Sequence, residues 1–109
     1  MQIMTFDQLE GATIVANDGA FLGKITVNSI DPESITNPIG IYGSAISALS
    51  ILNQIGQYGS EISSKSSFNP ITSTPPRILM SGQFVAYLTA NPLMTPGIDP
   101  GALIDWLQS

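Results

Sequence analysis

The sequence predicts a small α+β domain, mainly β, in which two related hairpins form an antiparallel sheet, a turn-rich repeat lies between them and a short helix closes the chain. Three observations lead there. A sixteen-residue phrase is written twice between residues 34 and 72 and begun a third time. A hairpin pattern occurs on each side of it, and the chain ends on a capped amphipathic segment. With 109 residues, 43% of them hydrophobic, there is material for one core and one domain, 1–109.

Taken in order, Thr5-Phe6-Asp7-Gln8 has capping-box spacing, with Leu9 following and Gly11 as a stop, which predicts one or two helical turns. Residues 13–28 read as a hairpin: Thr13-Ile14-Val15-Ala16, the pair Asp18-Gly19 in a type I′ turn, then Phe21-Leu22-Gly23-Lys24-Ile25-Thr26-Val27. Residues 76–91 repeat that unit, with Gly82, Phe84, Thr89 and Asn91 standing 63 positions after Gly19, Phe21, Thr26 and Asn28. An Asp-Pro pair follows each hairpin, at Asp31-Pro32 and Asp99-Pro100. Aspartate before proline is a good helix start, and over 99–108 it begins a helix with Leu103, Ile104 and Leu107 on one face and Trp106 as a docking aromatic.

Between the hairpins, Ser34 to Ser47 aligns without a gap on Ser50 to Ser63, ten of fourteen positions being identical, and Ser66, Asn69, Pro70 and Ile71 open a third copy. The period is too short for the helical-pair solenoids. Asn37 and Asn53, Gly40 and Gly56, and the two Tyr-Gly-Ser triplets carry turn chemistry, so each copy is a compact turn-rich unit. Ile46, Leu49, Leu52 and Ile55 would suit a helix over 44–56, but the equivalent stretch of the next copy is rich in serine, and at most one helical turn per copy is expected. Ile39, Ile55 and Ile71, with Ile46 and Ile62, are expected to point into one shared core, with Tyr42 and Tyr58 lying over it and the asparagines bonding their own backbone. The competing reading makes Tyr42, Tyr58, Asn37 and Asn53 a polar ladder that binds a partner, a small ligand or a polysaccharide.

Composition narrows the function classes. Neither histidine nor cysteine occurs, which removes the usual nucleophile–base pairs and zinc sites, and Ser63-Ser64-Lys65 has nothing around it in sequence to desolvate the lysine. No catalytic, cofactor or metal motif stands out, and a non-enzymatic protein is expected. A net charge of −5 with three basic residues gives no footprint for nucleic acid. The uncharged stretches 34–60 and 78–98 are too polar for a membrane span, and Met1–Asp7 has no signal-peptide character, so a cytoplasmic location is expected. Only 10% of residues are charged, which favours self-association or a protein partner.

Two resemblances add to this reading. Leu9-Glu10-Gly11-Ala12-Thr13-Ile14-Val15, with Asp18-Gly19 and Leu22-Gly23-Lys24-Ile25, resembles the opening of PRC-barrel domains, small β-barrels that act as adaptors. From Asp18 onward, the Asp-Gly-x-Phe-Leu-Gly hairpin, the tandem Ser-Ile-x-Asn and Gly-x-Tyr-Gly-Ser units and the second hairpin resemble a family of small bacterial proteins, cyanobacterial ones among them. That resemblance implies a recurrent architecture and transfers no site.

Overall fold

The computed structural model describes residues 5–109. Its centre is a five-stranded sheet in the order β2-β1-β3-β4-β5, with β1 Thr13–Val15, β2 Phe21–Lys24, β3 Arg77–Met80, β4 Gln83–Leu88 and β5 Gly97–Ile98. The two hairpins meet through β1 and β3, which run antiparallel with Thr13 beside Leu79, Ile14 beside Ile78 and Val15 beside Arg77. This register is symmetric about the Ile14–Ile78 pair, so the hairpins are related by a local two-fold through two fully buried side chains. The ladder extends the row to Gly23 on one side and Ala86 on the other, and all four residues are buried.

The two turns are unequal. At the first, Gly19 N–H donates to the Ala16 carbonyl and Gly19 alone has positive φ, +91°, while the Asp18 side chain accepts from Ala20 N–H. The type I′ geometry expected at Asp18-Gly19 occurs instead at the second hairpin, where Ser81 and Gly82 have φ of 53° and 80°. The first turn is one residue longer, so Asp18 is freed from the tight-turn role and presents its carboxylate sideways.

The ends also fold as their residues dictate, with two differences. Phe6–Leu9 is a 3-10 turn in which Gln8 Oε1 accepts from Thr5 N–H, and it lays Phe6 against Trp106, ring centres 5.8 Å apart. Helix α1, Pro100–Gln108, is capped by Asp99, whose Oδ2 accepts from Ala102 N–H, and buries Leu103 and Leu107. At Asp31-Pro32, by contrast, no helix forms; Asp31 accepts from Glu33 N–H within a single turn and pairs with Lys24 at 2.7 Å. The sheet is mixed, because β5 joins β4 in parallel, with Tyr87 N–H donating to Pro96 and Thr89 N–H to Ile98.

From Asn28 to Thr72 the chain makes one β-turn every three residues and contains no helix. The backbone N–H groups of Asp31, Ser34, Asn37, Gly40 and Gly43 each donate to the carbonyl three residues earlier, and the pattern resumes from Ser44 and again from Ser60. At the junctions Ser44 and Ser60 N–H groups reach four residues back, to Gly40 and Gly56. The sixteen-residue phrase is therefore five triplets plus one residue. The residue leading a triplet is nearly always Ser, Asn, Asp or Thr, because its side-chain oxygen accepts from the N–H two residues on, as Ser44 does for Ile46, Ser47 for Leu49 and Ser50 for Leu52.

This turn ribbon is fastened to the sheet at both ends. Lys24 N–H donates to the Glu33 carbonyl and Ile35 N–H to that of Lys24; at the far end Ala90 N–H donates to the Ser67 carbonyl and Asn91 Nδ2 to that of Thr72. Gly23 is needed where the first copy lands, since a Cβ there would stand 2.8 Å from both Ile35 Cγ2 and Tyr42 Cβ. Ile35 and Ile51, both essentially inaccessible, join Ile14, Leu22, Ile25 and Leu88 in the core.

Candidate interaction surface

Each copy turns the same three positions inward. Ser34, Ser50 and Ser66 are buried, as are the residues after them, Ile35, Ile51 and Ser67, and then Asn37, Asn53 and Asn69. The asparagines lock the ribbon: Oδ1 of each accepts from the N–H of Ile39, Ile55 or Ile71, and Nδ2 donates at 3.0–3.2 Å to the carbonyl six residues back, on Asp31, Ser47 or Ser63. Every asparagine thus ties its own turn to the turn two before it. Gly43 and Gly59 lie so close to the Asn37 and Asn53 carbonyls that any Cβ would collide with them.

The expectation that Ile39, Ile55, Ile71, Ile46 and Ile62 fill a shared core is overturned: all five point into solvent, with 85–94% of their surface exposed. The chain changes direction at every triplet, so only a few positions of each copy face inward: the serine, the residue after it, the asparagine and, further on, the tyrosine. An isoleucine four residues after Ile35, Ile51 or Ser67 has turned away. Ile30 before the array and Leu93 after the second hairpin are outward-facing in the same way, each following an asparagine by two residues. What reads in the sequence as a core stripe is an aliphatic display.

Between these side chains lie two adjoining hollows. One, of about 480 Å³, is lined by Ile46, Ile55, Leu52 and Gln54 among others; the second, of about 460 Å³, shares Leu52 and Gln54 and adds Ile62 and Phe68. Ile46, Ile55 and Ile62 therefore rim one continuous stretch of surface. Residues 34–60 carry no charge, and Glu61 and Lys65 are the charged residues of the array.

The four residues singled out as partner-binding are placed differently. Asn37 and Asn53 are buried and engaged with backbone, as just described. Tyr58 is buried, and its hydroxyl donates to Asp18 Oδ2 at 2.9 Å, an oxygen that Lys65 Nζ also reaches at 3.1 Å. The Ala20 N–H, then Tyr58 and Lys65, hold the Asp18 carboxyl below its ordinary value, while burial and the Asp18 charge push the Tyr58 hydroxyl up. Tyr42, its equivalent one copy earlier, is half-buried with its ring edge-on to Phe21, centres 5.1 Å apart. The structure brings these four side chains to the ribbon's inner seam and does not gather them on an open face. The isoleucine display could have been found from the Ser-x-x-Ser-x-x-Ser-x-x-Asn spacing, which marks a three-residue period that is neither helical nor extended.

Among the described residues, no three acidic side chains approach closely enough to hold a metal ion, and no helix is long and apolar enough to cross a membrane. No family model, curated protein or solved structure matches the chain.

Proposed function

We propose that this protein is a non-enzymatic interaction module of the cytoplasm, in which the sheet is a frame and the turn ribbon presents its aliphatic array to a protein partner, a further copy of the chain included. One observation carries the reading: Ile46 and Ile62, at equivalent places in successive copies, face solvent with Ile55 around a pair of hollows in which Glu61 is the one charged lining residue. Scattered exposed aliphatics are ordinary, but a contiguous set of them favours association. The net charge of −5 argues against nucleic acid as the partner. On this reading the bacterial proteins it resembles, which carry the same phrase between similar hairpins, share the five-triplet device.

Light scattering over a range of concentrations, with a pull-down on immobilised protein, tests the proposal. Association or capture by the native chain, abolished when Ile39, Ile55 and Ile71 are together changed to Ser, is the expected result. A chain that stays monomeric and captures nothing would remove it.

A further inference from the structure

We infer that the outer face of the sheet is a second docking surface, separate from the ribbon, and that it takes an amphipathic helix of a partner protein with one carboxylate in the middle of its apolar stripe. The register builds this face. Arg77 on β3 stands between Val15 and Tyr87, with Phe21 beyond Val15. In the next outward row Leu79 stands between Thr13 and Phe84. Side chains alternate along a strand, so both rows point away from the buried Ile14–Ile78 pair. Val15, Phe21, Leu79, Phe84 and Tyr87 neither belong to the core nor pack against it, and Phe84 is 44% exposed. Leu9, Ile51 and Leu103 all join the core with Ile14 and Ile78, so the 3-10 turn, the ribbon and α1 serve that one side of the sheet. On the other side the ribbon touches only the rim, where Tyr42 meets Phe21 edge-on.

Charge says what fits there. Of the three basic residues, Lys24 is paired with Asp31 at 2.7 Å and Lys65 with Asp18 at 3.1 Å, whereas Arg77 enters neither pair. Its Nε is enclosed and has no hydrogen-bond partner among the described residues. Enclosed donors are nearly always satisfied, so a cation set among apolar side chains without one marks a missing anion. A planar guanidinium takes a carboxylate best, through two parallel bonds. Arg77 is half-buried, so a carboxylate can reach it from the open side, and the half-buried Val15, Phe21 and Tyr87 call for apolar groups around that carboxylate. An open sheet rather than a hollow suits a macromolecule better than a small acid. A helix is the element that commonly covers such a face. Its residues three and four apart stand about 5–6 Å from one another, close to the spacing of side chains across neighbouring strands. Because the chain carries a net charge of −5, the polar side of that helix should be basic.

Arg77 is the sole arginine, so its Nε–H gives a single side-chain signal in a nitrogen–proton spectrum. The probe is a capped synthetic helix with a leucine stripe, lysines on the far side and one central glutamate, set against a twin with glutamine in that place. The glutamate helix should move the Arg77 Nε–H and the amides of Val15, Leu79 and Tyr87, and should bind at least ~10-fold more tightly than its twin. Arg77→Met, which keeps an apolar stem, should erase that difference. Phe84→Ser, at an exposed position, should weaken the glutamate helix at least ~5-fold, and an unchanged melting transition in each variant shows that the fold is kept. Ile55→Ser, on the ribbon, should leave its binding within ~2-fold, which keeps this surface distinct from the ribbon's. Equal binding of the two helices, or shifts confined to the ribbon, overturns the inference and leaves the ribbon reading standing. Phenylacetate bound as tightly as the glutamate helix also overturns it, by making the face a site for a small acid.

Discussion

Sheet and ribbon use isoleucine in opposite ways. In the sheet, Ile14 and Ile78 face each other at the local two-fold and are wholly enclosed, held by strands 64 residues apart in sequence. In the ribbon, Ile51 is enclosed but Ile55, one turn later, is 94% exposed. The sheet gains stability from burial across distant segments. The ribbon's hydrogen bonds are local and its apolar groups mostly face out, so it supplies regular shape and little core of its own. What keeps it folded is the frame beneath it, through Ile35, Ile51 and Tyr58 and the bonds at its two ends.

Cutting the ribbon from its frame gives the largest expected effect. A peptide of residues 34–72 should be unfolded by circular dichroism and lack dispersed amide signals. Each triplet contributes a backbone bond worth about 0.5–1.5 kcal/mol net, while ordering its three residues costs about 1–2 kcal/mol each. A cooperative melting transition in the peptide would break the comparison. Within the intact chain, Ile51→Ala should cost about 2–5 kcal/mol in denaturant unfolding. Ile55→Ala should stay within about 0.5 kcal/mol of native, because nothing encloses it. Equal costs at the two positions would mean that the ribbon has an outer covering the present fold does not show.

Much of the frame was legible in the sequence, because hairpins, caps and amphipathic helices follow local rules. The second hairpin's Phe84, the Asp99 cap and the Leu103–Leu107 face are where those rules put them, whereas Thr89 and Asn91 lie beyond the end of β4, in a turn where the Thr89 hydroxyl accepts from Asn91 N–H. The ribbon was half legible. Its turns are announced by Asn, Gly and Ser, but which residues face inward depends on a three-residue step reset once every sixteen, which apolar periodicity does not reveal. Hydrophobicity alone does not tell a buried isoleucine from a displayed one; Ile35 and Ile39 differ in the direction their turn faces. The parallel β5 was illegible, since two residues after the Thr95–Pro96 bond carry no pattern of their own. The same holds for Tyr58: its triplet differs from that of Tyr42 only in Gln57 for Ile41, and it is Asp18, presented by the longer first hairpin turn, that meets its hydroxyl.

The asparagine lock ranks next. Asn53→Ala removes the acceptor of the Ile55 N–H and the donor to the Ser47 carbonyl, and should cost about 1–3 kcal/mol. Asn53→Asp keeps the acceptor but turns a carboxylate oxygen toward that carbonyl, so it should recover little of the loss. Chemical denaturation of both variants decides this. If Asn53→Asp is as stable as the native chain, the bond to Ser47 contributes nothing and the two-turn tie is not what stiffens the ribbon. Hydrogen exchange adds detail: in Asn53→Ala the amides from Ser47 to Gly56 should exchange faster while those of β1 and β3 keep their protection.

The smallest effect expected is at the seam where ribbon and frame touch through a single polar contact. Tyr58→Phe removes the hydroxyl from Asp18 and should cost about 1 kcal/mol, since the carboxylate is partly exposed and keeps Ala20 N–H and Lys65. Its value lies in the pH profile. Asp18 titrates below its ordinary value of about 3.9 in the folded chain, so its contribution is present above that pH and is lost as pH falls through the lowered folded value. Tyr58 titrates above its ordinary value of about 10, so its contribution is full below that pH and fades as pH rises past it. The native chain should therefore lose stability at both extremes more steeply than Tyr58→Phe does. The share of the alkaline loss that Tyr58 contributes should vanish in the variant, which has no hydroxyl there, while the share from Lys24, raised by its bond to Asp31, stays. The acid difference should shrink only in part, because the Ala20 amide and Lys65 still favour the Asp18 carboxylate. Identical profiles for the two proteins would mean that the ribbon rests on the first hairpin through packing alone.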